Sequence, residues 1–174
     1  MVNEVVVLAL LQDGPKHGYQ ILKDAKRLVD PEETFDTKRL YSTLKRLEQD
    51  HAVVVHPEPS PVVGAPNRKV YHITPHGADR LVSLVADPAN ATDRRRFFLS
   101  LALFQIIGDV AQGRLLRERL EWLRREEQHL REVVEYPQHT PWSRNVVAFQ
   151  QTQISQEIAW LATLRPSIAR EAQS

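Results

Sequence analysis

Residues 36–49 read Asp-Thr-Lys-Arg-Leu-Tyr-Ser-Thr-Leu-Lys-Arg-Leu-Glu-Gln. Leu40, Leu44 and Leu47 recur at spacings of four and three, which places them on one stripe of an α-helix opened by an Asp36 N-cap. At 100° per residue Lys38, Ser42, Lys45 and Gln49 fall on the opposite face, with Arg39 and Arg46 beside them. Such a segment buries leucine and presents cations.

The neighbouring segments extend this reading. Upstream, the apolar run Val2–Leu11 reads as a short buried helix stopped at Gly14-Pro15, although Glu4 interrupts it. Gly18–Val29 carries Tyr19, Ile21, Leu22, Ala25 and Leu28 at amphipathic helical spacing, and Pro31 ends it. Downstream, Val53–Val55 is β-branched and too short for a helix. A proline-rich tip from Pro57 to Pro66 follows, and Lys69–Ile73 resumes as a strand, so the pair reads as a hairpin with a long tip. Thr74-Pro75 caps a fourth helix through about Val85. Three helices, a hairpin and a helix make a winged helix-turn-helix, whose third helix enters the DNA major groove while the wing lies along the backbone or minor groove. The expected contacts are Lys38, Arg39, Ser42, Lys45 and Arg46 from the helix, with Arg68 and Lys69 from the wing.

The expected domain boundaries are 1–86 for this unit, 87–92 for a linker hinged at Asp87–Asn90, and 93–174 for a helical domain. Within the last, helices are expected from Asp93 (with Thr92 as N-cap) to Gln112, from Leu115 to Tyr136, and from Trp142 to Leu164 before Pro166. Leu116, Leu120, Leu123 and Leu130 in the second, and Val147, Ile154, Ile158 and Leu161 in the third, form near-heptad seams that need a partner helix, in the same chain or another. The fold class is mainly α with a small β-hairpin.

Bulk properties narrow the function. The 174 residues carry 23 Lys+Arg against 22 Asp+Glu, a net charge of +1, so total charge announces no polyanion. Between Lys38 and Arg80, however, seven basic residues face four acids. There is no cysteine, so thiol chemistry and cysteine-ligated metals are excluded. No apolar run reaches the roughly 18 residues of a membrane span. Neither a secretory cleavage site nor a phosphate-cradling glycine loop is visible, so a cytoplasmic protein without cofactor is expected, and not an enzyme. His72 and His76 straddle a strand end and a helix start, so no metal site is assigned. Phe97, Phe98 and Trp122 are candidates to line a pocket for a small aromatic or amphipathic effector, with core packing as the competing role.

The motifs Leu8-Ala9-Leu10-Leu11 and Gly14-Pro15-Lys16-His17-Gly18-Tyr19-Gln20-Ile21 resemble the opening of the PadR family of bacterial transcriptional regulators. Leu40–Glu48 resembles that family's recognition helix, and Arg68–Gly77 its wing strand and fourth helix. Residues 93–164 resemble, more loosely, the longer helical C-terminal domain of one branch. The resemblance implies a homodimer held by the C-terminal helices, which makes the seams of Leu116, Leu120, Leu123, Leu130, Val147, Ile154, Ile158 and Leu161 its interface, on a near-palindromic double-stranded operator and acting as a repressor relieved by a small molecule. It also transfers DNA-contact roles to Tyr41, Lys45, Arg46, Lys69 and Tyr71, although the tyrosines are equally suited to packing between helix and wing. Where the family has glycine after the recognition helix this chain has His51, which must then tolerate positive φ. The alternative function is a winged-helix protein–protein interaction module without operator binding.

Overall fold

A computed structural model describes residues 2–28, 36–59, 67–134 and 140–171. The chain divides into two compact units, one through Val85 and one from Ala86. Pro31 and the wing-tip residues Pro61, Gly64 and Pro66 lie outside the described residues.

The first unit runs α1 (Val2–Gln12), β1 (Lys16–His17), α2 (Gly18–Leu28), α3 (Thr37–Gln49), β2 (Val53–Glu58), β3 (Arg68–Ile73) and α4 (Pro75–Val85). Its core gathers Val7 and Leu8 of α1, Ile21 and Ala25 of α2, the three leucines of α3, and Leu81 and Val85 of α4. Each buried leucine contributes about 1.5–3 kcal/mol, which makes the leucine stripe the force that docks α3. The hairpin gains an unexpected third strand. The sheet is antiparallel in the order β1-β3-β2, with Lys16 opposite Tyr71 and Val55 opposite Tyr71 on the other side. The result is a winged helix-turn-helix.

α3 ends as its sequence demands. His51 has φ 57°. The His51 amide donates to Glu48 O (3.1 Å) and the Ala52 amide to Leu47 O (2.8 Å), the paired bonds of a Schellman cap built on a histidine. Thr74 then ties the wing to this corner: its Oγ1 donates to His51 O at 2.8 Å and accepts from the Gly77 amide at 3.0 Å. A Cβ on Gly77 would stand 2.0 Å from Ala52 O, so only glycine fits there.

The second unit differs from expectation in four places. Residues 87–92, expected as a linker, contain a 3-10 turn (Pro88–Thr92) capped by Asp87, with Asn90 and Ala91 buried. The N-cap of α5 (Arg94–Ala102) is Asp93 rather than Thr92, accepting from the Arg96 amide at 3.0 Å. The expected continuous helix 93–112 breaks into α5, a 3-10 turn at Phe104–Ile106, and α6 (Asp109–Val134). Gln112 explains the break: its Nε2 donates to Phe104 O and Ile107 O, both at 2.9 Å, satisfying carbonyls that a continuous helix would have bonded internally. Gly113 therefore lies inside α6. The last helix, α7, spans Pro141–Glu171 and passes Pro166, where it was expected to stop.

Candidate nucleic-acid interface

α3 begins with the Asp36 carboxylate accepting from the Arg39 amide at 2.7 Å. Leu40, Leu44 and Leu47 are buried, while Lys38, Arg39, Tyr41, Ser42, Lys45 and Arg46 are exposed. Lys38 and Lys45 make no ion pair among the described residues, so their charges are available to a partner. Tyr41 lies against the start of α2, where a Cβ on Gly18 would approach its hydroxyl to 2.9 Å. That contact explains the glycine at position 18 and sets Tyr41 between α2 and α3.

Arg46 is committed differently. Its Nη2 donates to Glu4 Oε2 at 2.8 Å, and Arg80 Nε donates to the other Glu4 oxygen. Arg80 Nη1 also reaches Asp50 Oδ2 at 2.9 Å. Burial disfavours the Arg80 charge, but the hydrogen bonds and charges of Glu4 and Asp50 outweigh it and raise its pKa. Glu4 thus fastens α3 to α1 and α4. Sequence reasoning missed this role, although a lone carboxylate inside an otherwise apolar helix was its visible signal.

On the wing, Arg68 and Lys69 are exposed at the start of β3, opposite Glu58 and Pro57. Tyr71 is only 4% exposed. Burial pushes its pKa up, with Tyr41 and Glu48 adding to the effect. This places Tyr71 in the packing between helix and wing, not among the exposed residues of the candidate interface. The other face of the sheet carries His17, paired with Glu58 at 3.1 Å, and His56 edge-on to His72 with centroids 4.8 Å apart. No group of His, Asp and Glu among the described residues is arranged to hold a metal.

In the second unit the expected dimer seams close within the chain. Leu116, Leu120, Leu123 and Leu161 join Ala91, Phe97 and Leu115 in one buried cluster, and Ile154, Ile158 and Trp122 pack against it. Val147 is buried and Leu130 half-buried. Intrachain pairing of α6 with α7 satisfies the near-heptad pattern, so these leucines and isoleucines are core. A different stripe of α7 is exposed: Trp142 (81%), Val146 (57%), Phe149 (62%) and Trp160 (40%). These positions fall on one helical face, about 130° from the buried stripe.

Of the candidate effector residues, Phe97 is fully buried and lies 5.1 Å from the Arg119 guanidinium. Trp122 covers the same guanidinium at 4.6 Å. Arg119, 1% exposed, donates to Glu157 and to Ala91 O, both at 2.8 Å. Phe97 and Trp122 therefore serve the core. Phe98 alone of the three is exposed, stacked on Trp160 (5.7 Å, 22°) beneath Arg94. The Arg94–Arg96 run meets carboxylates, Arg94 with Glu157 at 3.9 Å and Arg96 with Asp93 at 3.7 Å. No described helix is long and apolar enough to cross a membrane.

Comparison with known proteins gives a family match over the first unit. Residues 7–83 match the model of the transcriptional regulator PadR-like family. Among solved structures the chain is similar to a PadR family transcription regulator from Clostridium difficile, with 25% identity over 47% of this chain and 80% of that one and a TM-score of 0.40. It is also similar to a transcriptional regulator from Clostridium thermocellum (26% identity, 45% and 72% coverage, TM-score 0.40). Bacillus subtilis PadR in complex with operator DNA matches at 17% identity over 97% of this chain and 99% of that one, with a TM-score of 0.45. No curated protein matches.

Proposed function

Residues 7–83 of this chain match the model of the PadR-like family of transcriptional regulators, and from that match we propose that it is a sequence-specific, double-stranded DNA-binding repressor acting as a homodimer. The observation that carries the reading is α3 itself, with its leucines turned into the core and Lys38, Ser42 and Lys45 exposed and opposite them. Lysines placed there neutralise phosphates and release counterions, and Arg39 is suited to guanine O6 and N7. Arg68 and Lys69 supply the wing's backbone contacts. Two copies related by a twofold axis present two such helices about 34 Å apart, one DNA turn, to a near-palindromic site.

The exposed Trp142–Val146–Phe149 face of α7 replaces the buried leucine seam as the dimer contact in this reading. Aromatic side chains left in water along one helix face are the composition of an interface core. Domains divide near residue 86, with the reader before it and the dimer and sensor unit after it. Relief by a small aromatic effector is assigned to the Phe98–Trp160 stack, where Arg94 offers a cation to an acidic group.

The deciding experiment is a salt titration of binding to duplexes drawn from DNA around its own gene and to random duplex. Specific binding is expected, and Lys45→Ala should flatten the slope of log K against log salt by about 0.9. Unchanged affinity and slope in Lys38→Ala and Lys45→Ala would overturn the reading.

A further inference from the structure

We propose that His17 is a positioning residue for the wing. Its protonated imidazole clasps Glu58 and the Lys69 carbonyl and loosens on losing the proton, so the wing's hold on DNA weakens as pH rises; this rests on the DNA-binding reading above. β1 contributes only two residue pairs to the sheet, Lys16 with Tyr71 and His17 with Val70. The His17 side chain extends that short tie. Its Nε2 meets Glu58 Oε2 at 3.1 Å, and its Nδ1 lies 3.4 Å from Lys69 O. Glu58 stands opposite Arg68 in the register of β2 and β3. One histidine thus grips the carbonyl of one wing cation and the cross-strand partner of the other.

The base of the clasp is fixed to the reading helix. The His17 amide donates to Gln20 Oε1 at 2.9 Å, at the start of α2. Lys16, on the other face of β1, pairs with Asp24 of α2 at 3.7 Å. Gly18, the next residue, lies against the Tyr41 ring of α3. Residues 17 and 18 therefore join α3 to the wing.

The chemistry of the two partners makes this link sensitive to protons. A carboxylate and a carbonyl oxygen only accept, so only the imidazolium, with a hydrogen on both nitrogens, donates to both. The neutral ring donates to one, turns a lone pair toward the other and gives up its charge attraction to Glu58. Imidazole changes charge between about pH 5 and pH 8, so the clasp is complete below that range and lost above it. Release has a second effect of the same sign. Arg68 is exposed and makes no ion pair among the described residues. A Glu58 carboxylate freed from His17 becomes available to Arg68 and competes with a phosphate for it. His56 and His72 share this face of the sheet, edge-on with centroids 4.8 Å apart. Protonating both sets like charges side by side and loosens the hairpin at low pH, the opposite sign. Substituting His17 alone separates the two effects.

The test measures the affinity of the full chain for a random-sequence duplex at fixed ionic strength, at about pH 5.5 and about pH 8. Across this interval the parent should lose about threefold more affinity than His17→Gln does, the size of a half-exposed ion pair. Glu58→Gln should reduce the pH dependence equally, and the double variant no further. Without DNA, amide exchange in β2 and β3, corrected for the intrinsic rate, should quicken at the higher pH in the parent and in neither variant. Equal pH profiles in the parent and His17→Gln would overturn the clasp and leave the DNA reading intact. Exchange that does not follow pH would overturn it too, whatever the affinities. A Glu58→Gln variant that keeps the parent profile would make His17 a direct phosphate cation and so overturn its positioning role. If Lys45→Gln binds duplex as the parent does, the DNA reading falls and this role with it, even where exchange still shows the clasp closing.

Discussion

Arg46 and Glu4, forty-two residues apart in the chain, meet at 2.8 Å. The guanidinium that the helix periodicity assigns to DNA is shared with a carboxylate from α1, whose side chain is only 6% exposed. The relationship separates residues that hold α3 from residues that read with it.

Glu4→Gln should therefore destabilise the first unit by about 2 kcal/mol, short of the 3–5 kcal/mol of a fully buried pair because both arginines reach water. The denaturant midpoint measures it. Arg46→Ala should also lower stability yet leave the DNA salt slope within about 0.3 of the parent, against the larger loss in Lys45→Ala. A full unit lost in Arg46→Ala would return Arg46 to the phosphates.

Gly77→Ala places a methyl group 2.0 Å from the Ala52 carbonyl. That oxygen already accepts from the Thr74 amide at 3.1 Å, so the backbone must move to make room. A loss of about 3 kcal/mol or failure to fold is expected. Gly18→Ala meets only the free end of Tyr41 and should cost about 1 kcal/mol or less. Comparing the two thermal midpoints tests whether the corner between α3, β2 and α4 is as rigid as its hydrogen bonds indicate.

Arg119→Met should destabilise the second unit by about 3–5 kcal/mol, because it leaves Glu157 and Ala91 O without their donor in a low-dielectric core. Adding Glu157→Gln should restore part of that loss by removing the stranded charge. The coupling is read from a double-mutant cycle in urea. Strict additivity would show that the pair contributes nothing.

Tyr71 gives a pH dependence. Its folded pKa lies above the unfolded value of about 10, so on raising the pH the unfolded chain releases the phenolic proton first. The native state then binds more protons, and stability is complete below pH 10 and falls as pH climbs from there toward the folded pKa. Tyr71→Phe should flatten this alkaline decline. An unchanged decline would place the titrating group elsewhere.

Much of the reader was legible because α3 states its own geometry: an N-cap, a leucine stripe and a cationic face fit within fourteen residues. His51 was legible through the resemblance, which puts glycine where this chain has histidine and so points to a left-handed residue there, and the Schellman bonds around it follow. β1 was not, because a two-residue strand has no period to detect. Helix periodicity identifies the face that Arg46 occupies, but a partner on α1 is a tertiary fact. The same limit explains the seams of α6 and α7. Their spacing requires an apolar neighbour and does not say whose, and a hairpin within one chain supplied it. The break at Phe104–Ile106 depended on one glutamine side chain replacing backbone donors, which no hydrophobic pattern records.

The three-stranded sheet has an unequal pair of borders. Along one, β1 occupies only two positions beside β3; along the other, β2 pairs with no further strand among the described residues and carries Pro57 one residue before its end at Glu58, with Pro59 following. A strand approaching from another molecule would find no amide hydrogen at either proline, and an exposed glutamate at position 58 between them. The outer end of β2 is thus poorly suited to seeding fibrils by strand addition.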